Sequence, residues 1–108
     1  MNTVLVLTAD EAIRGRVARS LSKFSIFEAR SEGEACQTLR LVDIDVVLRD
    51  SKGPAGALAG FVVAAKEIAP RTLVVAIGEG AQDEGSADFS IPEAFTAREL
   101  DAVLHHAL

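Results

Sequence analysis

Asp50 closes the run Val46-Val47-Leu48-Arg49, and Pro54 follows in a loop rich in Gly and Pro. A carboxylate at the carboxyl end of a buried strand lies where open α/β sheets collect their chemistry. There it could accept a phosphoryl group, share a metal ion, or serve only as a polar strand end. A second carboxylate, Asp10, just precedes a helix-period run. It suits an N-cap, and it also suits an oxygen ligand for a hard divalent cation. Other reactive residues are poorly placed. His105 and His106 are adjacent, so on a helix they diverge, and near a helix C-terminus they complement its dipole. Cys36 has no partner cysteine and reads as a small apolar side chain. Gly78-Glu79-Gly80 invites a nucleotide-loop reading. It lacks the third glycine of a dinucleotide fingerprint and the Lys-Ser/Thr of a P-loop, and Glu79, Asp83 and Glu84 would repel a phosphate. No Ser-His-Asp or Cys-His arrangement, no metal-ligand cluster and no loop aromatic to stack a flavin is visible. An enzyme is not expected.

The elements that must position these residues alternate between strand and helix patterns, as in a parallel sheet covered on both faces. Thr3 to Leu7 is apolar after its first residue, like a strand buried on both sides. From Asp10 to Phe24 the apolar residues Ile13, Val17, Leu21 and Phe24 fall on one helix face, with Arg14, Arg16, Arg19 and Lys23 on much of the rest. Ser25 to Ala29 is a second short strand. Ser31 with Glu34 forms a capping box that opens a helix to about Leu41. Asp45 to Arg49 is the third strand, with Asp50 at its end, and Ser51 to Gly56 lead into a helix from Ala57 to Ile68 that Pro70 stops. Leu73 to Ile77 is the fourth strand, ended by Gly78. Residues 78–88 are polar and glycine-rich, about the minimum for a parallel crossover, so the helix expected there is shortened or missing. Phe89 to Ile91 is a short edge strand. Thr96 and Glu99 cap a last helix with Leu100, Val103, Leu104 and Leu108 as its buried stripe.

At 108 residues the chain is a single domain. Its net charge of -5 gives no general attraction to nucleic acid. No apolar run approaches the roughly 20 residues of a membrane span, and no basic stretch leads into a cleavable apolar segment. A cytoplasmic protein without nucleic-acid or membrane partners is expected.

The order of elements resembles the receiver domain of two-component response regulators, a flavodoxin-like fold with a five-stranded parallel sheet in the order 2-1-3-4-5. Val4-Leu-Val-Leu-Thr-Ala-Asp-Glu-Ala-Ile-Arg14 is similar to the first strand and its acidic turn. Asp45-Val-Val-Leu-Arg-Asp-Ser-Lys-Gly-Pro54 resembles the third strand, with Asp50 as phosphoacceptor. Ala87-Asp-Phe-Ser-Ile-Pro-Glu-Ala-Phe95 resembles the segment of the fifth strand and the Lys-Pro pair. The likeness spans essentially the whole chain and implies a three-layer, doubly wound fold.

The departures bear on function. The two acidic residues that hold magnesium in such domains match Thr8 and Ala9, with only Asp10 following. The hydroxyl residue after the fourth strand matches Ile77, and the lysine before the proline matches Ile91. Phosphoryl transfer to a carboxylate joins two anions, so it depends on neutralising charge. Asp10 and Asp50 alone would make a weak magnesium site, and only Lys52 or Arg49 could swing in as a cation. The expectation is an atypical receiver with phosphorylation lost or weakened, acting through protein contact. The alternative is a working receiver phosphorylated at Asp50 by a histidine kinase or phosphotransfer protein. The chain would be a standalone regulator or the N-terminal module of a longer protein with a fused output domain, and a homodimer fits either form. Arg14 on the first helix, and Arg98 and Asp101 on the last, are the expected partner surface, with the fifth strand and last helix as its centre.

Overall fold

Thr3–Leu7 (β1), Ser25–Ala29 (β2), Val46–Asp50 (β3), Leu73–Ile77 (β4) and Phe89–Ile91 (β5) pair into one parallel sheet in the order β2-β1-β3-β4-β5. The helices are Glu11–Ser20 (α1), Glu32–Leu41 (α2), Ala57–Ile68 (α3) and Ala97–Ala107 (α4). The structure is a computed structural model that describes residues 2–21, 23–50, 56–78 and 87–107. Lys52 and the loop 51–55, the crossover residues 79–86 with the Gly80 motif, and Leu108 lie outside the described residues. No helix joins β4 to β5 among the described residues, and the whole connection is residues 78–88.

Alternation along each strand explains the continuously apolar runs. Leu5, Leu7, Val47 and Val74 point to one face, where Leu39 of α2 and Phe61 of α3 cover them. Val4, Val6, Leu48 and Val75 point to the other, under Val17 of α1 and Leu104 of α4. With both faces closed, polar side chains on the central strands are confined to the ends.

Local chemistry sets the boundaries. Ser31 caps α2 by accepting from the Glu34 N–H at 3.2 Å. Thr96 and Glu99 form the reciprocal box that opens α4, with bonds of 3.0 and 3.1 Å. Gly56 precedes α3 at φ 86, a conformation natural only to glycine. The end of α1 differs from the pattern: the helix stops at Ser20, and Phe24 sits in a turn whose N–H bonds the Leu21 carbonyl at 3.1 Å. Phe24 still packs on the α1–α4 core, so the apolar period continued past the point where the backbone left the helix. Asp50 lies within β3, opposite Ile77, because β4 is long enough to pair with it. The start of β5 is pinned by Asp88, whose Oδ2 accepts from the Val74 N–H and from Lys66 Nζ, each at 2.8 Å.

The two faces of α3 provide a test of this packing. Phe61 is 1% exposed and Val63 is 60% exposed. Phe61→Ala should cost about 3–5 kcal/mol. Val63→Ala should change stability by no more than about 0.5 kcal/mol. Urea unfolding of the two variants checks both values, and equal losses would refute the orientation of the helix.

Candidate functional site

The strand order reverses between β1 and β3, the point at which such sheets open a crevice beyond their carboxyl ends. A cleft of about 300 Å³ lies there, and Thr8, Asp10, Arg30, Glu32, Arg49 and Asp50 line it. The β1–β3 register sets Leu7 opposite Arg49, so the next residues, Thr8 and Asp50, emerge side by side.

Asp50 is 9% exposed and its Oδ2 accepts a hydrogen bond from the Thr8 hydroxyl. The Thr8 Oγ1 in turn accepts from the Asp10 N–H at 3.0 Å. A backbone donor therefore orients the threonine, and the threonine orients the carboxylate. Asp10 acts as the N-cap of α1: its Oδ1 accepts from the N–H groups of Ala12 at 2.9 Å and Ile13 at 3.3 Å.

Two buried guanidinium groups flank this chain of bonds. Arg14 donates from Nη2 to the Thr8 carbonyl at 2.6 Å and pairs through Nη1 with Glu11 Oε1 at 2.5 Å. Arg49 donates from Nη1 to the Asp50 carbonyl at 2.9 Å and from Nη2 to Glu32 Oε2 at 2.6 Å. Its guanidinium carbon lies 5.5 Å from the centre of the Phe61 ring. The Nε atoms of both arginines are buried without a hydrogen-bond partner, a cost that the other contacts must offset. The pairing with Arg14 also acts on Glu11: the hydrogen bond and then the charge of Arg14 hold its carboxyl below the ordinary 4.5, against a small opposing effect of desolvation.

Toward β4 and β5 the ladder neighbours of Asp50 are hydrocarbon. Ile77 stands opposite Asp50 in the ladder, and Ile91 opposite Ile77. Both are almost fully buried in the α1–α4 core. Neither side chain carries a hydrogen-bond donor.

A magnesium ion takes six oxygens in a near-ideal octahedron and in sites like this draws on carboxylates. Here one oxygen of Asp50 is engaged by Thr8 and one oxygen of Asp10 caps α1, while Ala9 brings no side-chain oxygen. Among the described residues no three His, Cys, Asp or Glu side chains come together to hold a metal. Asp10 and Asp50 are thus the two carboxylates that would hold a magnesium ion here, each with one oxygen already in a hydrogen bond.

The remaining sequence-selected residues scatter. Arg98 and Asp101 are exposed on α4. Arg14 is not on that surface: at 6% exposure it points inward to the Thr8 carbonyl, because a short β1–α1 turn brings the first turn of the helix over the strand end. His106 meets Phe89 edge to face, with ring centres 5.8 Å apart, and Cys36 is half-buried on α2. Among the described residues no helix is long and apolar enough to cross a membrane. Thr8 is the residue that spacing alone undervalued. Its only sequence signal was a hydroxyl directly after a strand paired with the one that ends at Asp50.

No protein-family profile and no curated protein sequence matches the chain. Solved structures do. The chemotaxis protein CheY4 of Vibrio cholerae superposes with a TM-score of 0.86 at 21% identity, covering 100% of this chain and 99% of that one. The signal receiver domain of an HD domain-containing protein from Pseudomonas fluorescens gives 0.87 at 20% identity, over 99% of this chain and 86% of that one. A CheY-like protein, tadZ, from Pseudomonas aeruginosa gives 0.81 at 21% identity, with both chains covered completely. The chain has the fold of CheY-like receiver domains.

Two measurements test the roles of the acidic residues. Asp10→Ala should lose about 1 kcal/mol of stability, Asp10→Asn much less, and neither value should depend on magnesium. A loss that appears only with magnesium would make Asp10 a ligand instead of a cap. The Glu11 carboxyl, followed by NMR, should titrate below 4.5 and move back toward it in Arg14→Met. Because the folded value is lowered, the Glu11–Arg14 pairing is complete above the unfolded value and fades as pH falls through the folded one.

Proposed function

We propose that this chain is an atypical receiver domain of two-component-type signalling that works by protein contact, with phosphorylation at Asp50 lost or weakened. One observation supports this most: Asp50 Oδ2 accepts from the Thr8 hydroxyl, and the ladder neighbours toward β5, Ile77 and then Ile91, bring hydrocarbon side chains where receiver domains place a hydroxyl and a lysine. The guanidinium of Arg49, the preceding residue, already bridges Glu32 and the Asp50 carbonyl. On this reading the protein is not itself an enzyme, needs no magnesium, works in the cytoplasm and binds neither nucleic acid nor membrane. Its partner is a histidine kinase, a phosphotransfer protein or a fused output domain. The likeness to a receiver domain taken from an HD domain-containing protein is consistent with the last of these. The face of β5 and α4, with Arg98 and Asp101 exposed on it, is the proposed docking surface. A second copy of the chain could occupy the same face.

The test uses acetyl phosphate and magnesium, with intact-mass spectrometry as the readout. The expected result is an unmodified mass, identical for the parent chain and for Asp50→Asn. Addition of one phosphoryl group that Asp50→Asn abolishes would establish the other reading, a working aspartyl-phosphate receiver.

A further inference from the structure

Arg16 sits on α1, yet its guanidinium is spent on the segment that follows β5. Nη1 donates to the Glu93 carbonyl at 2.7 Å, and Nη2 donates to the Phe95 carbonyl. The guanidinium carbon also lies 4.3 Å from the centre of the Phe95 ring. Phe95 is 2% exposed and belongs to the core between α1 and α4, together with Ile91 and Leu100. One planar cation thus binds two carbonyls two residues apart and covers the ring that anchors them. A lysine could not reproduce this, because an ammonium is a point charge without a fork or a flat face. A charged residue on an amphipathic helix is usually solvated; this one is half-buried, and both of its terminal nitrogens are used.

We infer that Arg16 is a latch: it fastens the β5–α4 connection to α1 and holds the β5–α4 face in one conformation whatever the state of Asp50. The inference rests on the reading that this face is the contact surface. The latched segment leads directly into the Thr96–Glu99 cap of α4, and Arg98 and Asp101 follow within the first turns. Fixing residues 93–95 therefore fixes where those side chains stand. The other end of β5 is secured separately, by Asp88 on the Val74 N–H and Lys66. Across the sheet, the only register neighbours from Asp50 to β5 are Ile77 and Ile91. These two hydrocarbon side chains have no hydrogen bond to exchange when the charge at Asp50 changes.

Native-state hydrogen exchange on the full chain tests this. The reporters are the Phe95 N–H, bonded to the Pro92 carbonyl at 3.1 Å, and the Leu100 N–H, bonded to the Thr96 carbonyl at 3.1 Å. Arg16→Ala should speed exchange at both by about tenfold or more, while Arg19→Ala and Asp50→Asn stay within about twofold of the parent. Arg16→Lys keeps charge and stem, guards against a variant that does not fold, and should still accelerate both amides relative to the parent. Unchanged exchange in Arg16→Lys and Arg16→Ala would overturn the latch. Acceleration in Asp50→Asn equal to that in Arg16→Ala would overturn its independence from Asp50. Phosphorylation of the parent chain would defeat the functional reading alone, since these exchange rates stand apart from it.

Discussion

A parallel sheet buried on both faces leaves polar chemistry very little room. The strand interiors are sealed by α2 and α3 on one side and by α1 and α4 on the other, and a side chain that must stay polar there can only sit at a strand end. Asp50 and Thr8 meet this constraint together, as neighbours at the ends of the two central strands. Their hydrogen bond is what the rest of the site is arranged around. It engages one oxygen of the carboxylate, and it is held in place by the Asp10 N–H, which belongs to the turn that starts α1. Cap, hydroxyl and carboxylate form one continuous piece of hydrogen-bonded structure.

The charges follow the same economy. Arg30 and Arg49 line the cleft, Arg14 lies against the Thr8 carbonyl beside it, and each is matched to Glu11 or Glu32 at the surface. Arg14 and Arg49 are buried while their carboxylate partners are largely solvated, so the pairs gain little from Coulomb attraction on the acidic side. The greater contribution comes from the main-chain carbonyls of Thr8 and Asp50, which give each guanidinium a fixed partner beneath the surface. These arginines secure the strand ends more than they create a field for a ligand.

Much of this was legible in the chain. The continuous apolar runs gave the buried strands, and the spacing of Ser31 with Glu34 and of Thr96 with Glu99 marked two helix starts. The position of Asp50 at a strand end followed from the run before it. What escaped was whatever depends on a second element folding over the first. Arg14 has the spacing of a surface residue, but its stem lies against the end of β1, which no periodicity along α1 can reveal. Phe24 keeps the helix period although the helix has ended, because core contact and backbone conformation separate at a turn. Arg16 looked like one more cation on a wet face. Its partners are more than 70 residues away, and two of them are backbone carbonyls, which carry no sequence signal.

The charge balance at Asp50 can be argued from these contacts. Phosphorylation of Asp50 would replace a single negative charge by one of about −1.5 to −2. The one cation close enough to answer it from the described residues of β3 is Arg49, which would have to leave Glu32. That exchange is cheap on the glutamate side, because Glu32 is about half exposed and water would replace the guanidinium. It is dear at Asp50 itself. Among the described residues, Thr8 can supply one hydroxyl donor, and the side chains of Ile77 and Ile91 can supply none. On the proposed reading, this balance weighs against a stable acyl phosphate before the question of signal transmission arises. If transmission is considered anyway, it meets the same two isoleucines and then a segment already held by Arg16. The features that would make Asp50 a poor acceptor are, in space, the features that would keep the contact face from hearing it.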